Sequence, residues 1–160
     1  MFLLIFYIVG WATGIALLFY LGESVNTAEI LLKSQLFFGV GIGLIFNAIW
    51  NLFQNTQPTK TSGKTPQEFQ WEVSFVSLGI GLSGLLAPFF SDNFSIAVII
   101  IVTAFLLGTL VAHVFTRMTK NGVDLITQLA VIAYILLPIT LIALCLLWRM
   151  DINFEILFIL

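Results

Sequence analysis

Apolar residues fill five long stretches of this chain, 1–22, 34–59, 73–91, 93–116 and 125–148, and none of them contains Asp, Glu, Lys or Arg. A helix needs about 20 mainly apolar residues to cross the hydrocarbon core of a bilayer. The pattern therefore predicts an all-α fold, a polytopic transmembrane bundle of five helices with no soluble domain. The expected spans are about 2–21, 30–53, 70–90, 94–116 and 125–148, all within a single membrane domain covering 1–160.

Polar positions mark the ends of these elements. Asn26 and Thr27 are candidate caps for the second helix, with Glu29 in its first turn. Residues 54–69 form the one long polar loop. Its end, Thr65-Pro66-Gln67-Glu68, combines a cap, a proline suited to the first helical position and an acid, so helix 3 should begin near 66 and project about one turn beyond the membrane. Ser91-Asp92-Asn93 makes a tight connection, and Asn121-Gly122 is a strong turn pair. The apolar tail 150–160 is too short to span and reads first as an interfacial segment, with docking on a partner as the alternative. Met1–Leu21 has no Lys/Arg-rich start, so it reads as the first transmembrane helix and not as a secretory signal.

Composition agrees with this picture. Apolar residues make up 60% of the chain and charged residues 9%, against about 25% charged in soluble domains. A net charge of −2 gives no reason to expect a nucleic-acid partner. Cys145 is the only cysteine, so no disulfide framework or cysteine metal site is expected, and it reads as a small buried apolar residue. The basic residues set an orientation. Lys60, Lys64, Arg117 and Lys120 lie on the side of the N-terminus, Lys33 and Arg149 on the other, which predicts a cytoplasmic N-terminus in a cell inner membrane.

That topology gathers polar side chains into one layer, the cytoplasmic leaflet and its lip. Asn47, Asn51 and Gln54 come from helix 2, Trp71 and Glu72 from helix 3, Thr109 and His113 from helix 4, and Asp124, Thr127 and Gln128 from the start of helix 5. Ionisable groups at membrane depth are costly and are functional candidates by default. Spacing supports convergence: Gly39, Gly43, Asn47 and Asn51 form an i+4 stripe, and Ala104, Gly108 and Ala112 form another beside Thr109, His113 and Arg117. Glu72, Gly79 and Ser83 share one side of helix 3. Small residues let membrane helices approach closely, so a compact cluster of helices 2, 3 and 4 is expected, with Glu72, His113 and Asn47 facing inward.

Plainer readings stand beside this one. Glu72 lies at the edge of its run and can reach the headgroups, His113 can be a structural hydrogen bonder, and Asn47 and Asn51 can be interhelical glue. Trp50 and Trp71 suit an interfacial belt, while Trp11, mid-helix, suits packing or a pocket wall. Pro138 removes the bond to the Tyr134 carbonyl and bends helix 5. Gly79, Gly81 and Gly84 match G-x-G-x-x-G by spacing, but no strand precedes them, so a dinucleotide site is rejected. No nucleophile elbow, phosphate loop or zinc pattern occurs, and the single His rules out two-His haem ligation within the chain. No cofactor or metal is expected.

The segment Phe69-Gln70-Trp71-Glu72-Val73-Ser74-Phe75-Val76-Ser77-Leu78-Gly79 resembles a motif of a family of small bacterial integral membrane proteins, catalogued as a domain of unknown function under the number six-seven-nine-zero. Thr27–Leu31, Gly39–Ile42 and Ala112-His113-Val114 are similar to its other pieces, so the resemblance spans about 27–149. It implies that the acid and the helix 4 His of that family correspond to Glu72 and His113. Asn47 stands where the family tends to have a His, and Ser77 where it tends to have Asn. The family carries no activity to transfer.

Two functional readings follow. One is a site in the cytoplasmic leaflet, built from Glu72, His113, Asn47, Asn51, Trp71 and Gln128, that binds or moves a small ligand or a proton. The alternative is a non-catalytic accessory subunit of a membrane complex or a homo-oligomer, with the lipid bilayer as its other partner. An enzyme is the weaker reading, because only Glu72 and His113 offer acid–base groups.

Overall fold

The computed structural model describes residues 2–21, 26–53, 66–118 and 125–150, and among them all regular structure is helical. Five helices are long and apolar enough to cross a membrane. They are α1 (Phe2–Leu21), α2 (Thr27–Phe53), α3 (Pro66–Leu86), α4 (Asp92–Met118) and α5 (Leu125–Arg149).

Helix ends follow local chemistry. The Asn26 side chain accepts hydrogen bonds from the backbone N–H groups of Ala28 at 3.0 Å and Glu29 at 3.3 Å, satisfying two donors of the first turn of α2. Glu29 pairs with Lys33 one turn further on. Pro88 stops α3 from continuing, so the chain tightens into a 3₁₀ turn over Ala87–Phe89 and re-enters helix at Asp92. The buried Ser95 hydroxyl ties this corner together by donating to the Ala87 carbonyl at 3.2 Å.

α2 is the central element, packed against α1, α3 and α5, and Leu32, Leu36, Val40 and Leu44 along it are almost fully buried. Its middle, Gln35–Ile42, has π-helical geometry. π-helical turns are rare and concentrate at functional positions. This one brings Gly39 and Gly41 to different neighbours. A Cβ at Gly39 would meet the Gln35 amide oxygen at 2.8 Å and Leu137 at 3.4 Å, while one at Gly41 would meet the Leu85 backbone nitrogen at 2.9 Å.

The contact between α2 and α3 is glycine-lined on both sides. A Cβ at Gly84 would stand 2.7 Å from Val40 Cγ1, 2.9 Å from the Gly41 nitrogen and 3.0 Å from the Leu36 oxygen; one at Gly81 would stand 3.0 Å from the Gly41 oxygen. The two backbones therefore touch, as small residues allow between membrane helices.

This differs from the cluster that spacing suggested. Gly39 packs beside Leu137 of α5 and Tyr7 of α1, and Gly43 beside Leu3 and Phe6 of α1, so the nearest neighbours of neither belong to α3. Ala104, Gly108 and Ala112 of α4 are exposed, and a Cβ at Gly108 would meet nothing within 4 Å. The stripe is real in register, but α4 turns its core residues, Val98, Val102 and Leu106, inward and leaves the small residues outside.

Candidate functional site

α3 carries two opposed faces. At about 100° per residue, Gln70, Ser74, Ser77, Gly81 and Gly84 share one face, and Glu68, Glu72, Val76, Gly79 and Ser83 share another. The first face is turned to α2. Gln70 donates its side-chain amide to the Asn51 carbonyl, and Ser74 and Ser77 are fully buried. Ser74 donates to the Gln70 carbonyl at 2.7 Å, whereas the Ser77 hydroxyl has no hydrogen-bond partner among the described residues.

The second face borders a groove. Val76, Gly79, Ile80 and Ser83 of α3 and Val98 and Ile101 of α4 enclose about 230 Å³. Gly79 makes its floor: a Cβ there would meet nothing within 4 Å. The only polar side chain in the lining, Ser83, spends its hydroxyl on the Gly79 carbonyl at 3.0 Å. The groove wall is therefore aliphatic. Glu72 continues the same face about one turn below Val76 and Glu68 about two turns below, and both are exposed.

The candidates read from the sequence fall into three groups. Glu72 and Trp71 lie on the outside of α3, Trp71 half exposed, so Glu72 does not face inward towards α2. Asn47 and Asn51 are partly buried on α2, where the Asn51 backbone serves the contact with Gln70. Asn47 lies four residues beyond Gly43, which packs on α1 beside Leu3 and Phe6. His113 is placed within α4 and Gln128 within α5, but their side chains lie outside the described residues, as does Asp124. Contact between Glu72 and His113 falls outside that description too. Trp11 packs against the core with its ring edge towards Tyr7 at 6.4 Å, and Trp50 meets Phe2 edge-on at 5.3 Å.

One polar residue has no counterpart in the sequence reading. Gln35 is 1% exposed at the start of the π-helical segment. Its Nε2 donates to the Tyr7 carbonyl of α1 at 3.2 Å, and its Oε1 has no hydrogen-bond partner among the described residues. Gly10 and Gly39 make room for that amide, since a Cβ at either would approach Oε1 to 3.0 or 2.8 Å. The signal was present: an amide inside an uncharged run, with glycine four residues later. Chemically, Gln35 pins α1 to α2, since it offers no titratable or nucleophilic group.

Among curated proteins and solved structures, none matches this chain. A family model does match, over residues 1–153. The chain thus belongs to the family of unknown function DUF6790, as the resemblance around Phe69–Gly79 and His113 implied.

Proposed function

We propose that this chain is a multi-pass integral membrane protein that binds a small ligand in the groove between α3 and α4, with Glu72 and His113 at its polar end. One observation carries the reading: an open aliphatic groove floored by Gly79 lies on the same face of α3 as the exposed carboxylate of Glu72. Ligand sites in membrane proteins need an apolar wall and a few polar groups that fix orientation, and this face supplies both. The antiparallel run of α4 supports including His113, because the end of α4 that carries it lies on the same side of the bundle as the start of α3. The Lys and Arg distribution supports a cytoplasmic N-terminus, which puts this end of the groove in the inner leaflet.

Native mass spectrometry of the full chain released from its own membranes tests the reading. A bound small molecule should be retained by the wild type and lost from Glu72→Gln, from His113→Ala and from Gly79→Leu. Equal retention in all three variants would sink the proposal. Proton uptake by proteoliposomes, measured with an enclosed pH dye, then tells whether the ligand is only bound or also moved with a proton.

A second reading, a homo-oligomer or accessory subunit, draws on the exposed face of Ala104, Gly108 and Ala112 of α4. Cross-linking of Gly108→Cys in a Cys145→Ala background should trap a dimer in native membranes if that face meets a second copy. Absence of any cross-linked species would remove it.

A further inference from the structure

A second groove lies at the opposite end of the bundle from Glu72, where α1 ends and α2 begins. Leu17 and Leu21 of α1, Ile30, Phe37 and Phe38 of α2 and Pro88 after α3 enclose about 240 Å³. Phe37 braces the wall through ring-edge contacts with Phe38 at 5.1 Å and Phe89 at 6.4 Å. Leu17 and Leu21 are half exposed, so the groove opens to the outside of the bundle.

Unlike the groove between α3 and α4, this one has a charge in its own lining. Lys33 borders it, and Glu29, one turn nearer the start of α2, accepts a hydrogen bond from the Lys33 ammonium. That pairing does not close Lys33 to a ligand. An ammonium has three N–H donors, Glu29 takes one of them, and the two side chains stay 38% and 32% exposed. Exposed pairs of this kind contribute little, so a ligand that satisfies both charges displaces no strong bond.

Within a bilayer, hydrocarbon fills any outward groove, and a lipid tail is as apolar as leucine, so the wall has no preference of its own. Selection falls to the two charges, and their order is specific. Glu29 lies about 6 Å nearer the helix start than Lys33, and so nearer the water. A complementary head carries its anion on the inside and its cation on the outside. Phosphatidylethanolamine has that order, with the phosphate next to the glycerol and the ammonium beyond it. Its primary ammonium also donates N–H bonds to a carboxylate, which the trimethylated head of phosphatidylcholine cannot do.

We infer that this groove holds one phosphatidylethanolamine molecule, an acyl chain against Leu17, Phe37 and Phe38, its phosphate at Lys33 and its ammonium at Glu29. The inference rests on the membrane reading above and is independent of the groove between α3 and α4.

The test is native mass spectrometry of the full chain in detergent, titrated with three dioleoyl lipids that differ only in the head: phosphatidylethanolamine, phosphatidylcholine and phosphatidylglycerol. The expected result is one retained phosphatidylethanolamine per chain, bound at least fivefold tighter than either of the others. Lys33→Gln should weaken it at least fivefold. Glu29→Gln should erase the preference over phosphatidylglycerol, because an anionic head then meets Lys33 alone. Glu29→Lys combined with Lys33→Glu keeps an i,i+4 pair but reverses its order, so the preference should be lost there too. A pair that only stabilises α2 would leave it intact. Leu17→Trp, which fills the groove from α1, should abolish retention. Equal retention of the three lipids, or a preference untouched by the reversed pair, would overturn the head assignment. Retention unaffected by Leu17→Trp would overturn the site itself. Leu17, Glu29 and Lys33 are all partly exposed, so these variants should fold; an unchanged unfolding temperature in the same detergent checks it.

Discussion

The two faces of α3 are made from similar residues and do opposite things. Towards α2, Gly81 and Gly84 let two backbones touch, and there is no room for even a methyl group. Towards α4, Gly79 faces empty space, and the missing side chain makes a groove. Glycine spacing alone does not separate a packing surface from a binding surface. The difference lies in what arrives opposite: α2 brings glycine of its own at Gly41, whereas α4 brings Val98 and Ile101 and stops short. A closed seam anchors the helix whose other face is left open.

Substitution at these glycines is the sharpest way to break the comparison. Gly84→Ala should destabilise most, by about 1–3 kcal/mol, because two of the three atoms it would meet belong to backbone and cannot move away as a side chain can. Gly81→Ala should follow, for the same reason at slightly longer distances. Both are measured by thermal unfolding in detergent, and loss of neither would mean that the seam is not as tight as described. Gln35→Leu should cost less. It removes a hydrogen bond worth about 0.6 kcal/mol on average between membrane helices, and it also removes a buried acceptor with no partner among the described residues. A net change within about 1 kcal/mol is expected, and a loss of several would reveal that Gln35 Oε1 is satisfied by a group still to be identified. The smallest effect belongs to Gly79→Ala, which should be neutral or stabilising by up to about 1 kcal/mol, since alanine is the better helix former and nothing stands in its way. A strongly destabilised Gly79→Ala would close the groove as an idea.

Much of the architecture was readable residue by residue. Asn26 was a visible cap for α2, and Pro66 with Glu68 a visible start for α3, because capping depends on a few adjacent residues. The shared side of Glu72, Gly79 and Ser83 was also readable, since helical register needs only counting. The inward direction assigned to that side was not. Gly39 met Leu137 of α5 and Tyr7 of α1, and Gly43 met α1, where α3 had been expected, and the α4 stripe of Ala104, Gly108 and Ala112 is exposed. Gln35 gave no such local signal: its meaning comes from Tyr7 and Gly10, 28 and 25 residues away along the chain.

The sequence by itself determined that five helices form, where several of them begin and end, and which residues share a face. Those properties depend on apolar length, on caps and on a fixed turn per residue, all of them local. Only the tertiary structure decided which face meets which neighbour. In a water-soluble helix the apolar stripe points to the core, but a hydrocarbon surround is as apolar as leucine, so the outward and inward faces of such a helix read alike. Close-packed glycine against glycine settled α2 on α3. Part of the face left over, from Val76 to Ser83, borders the groove.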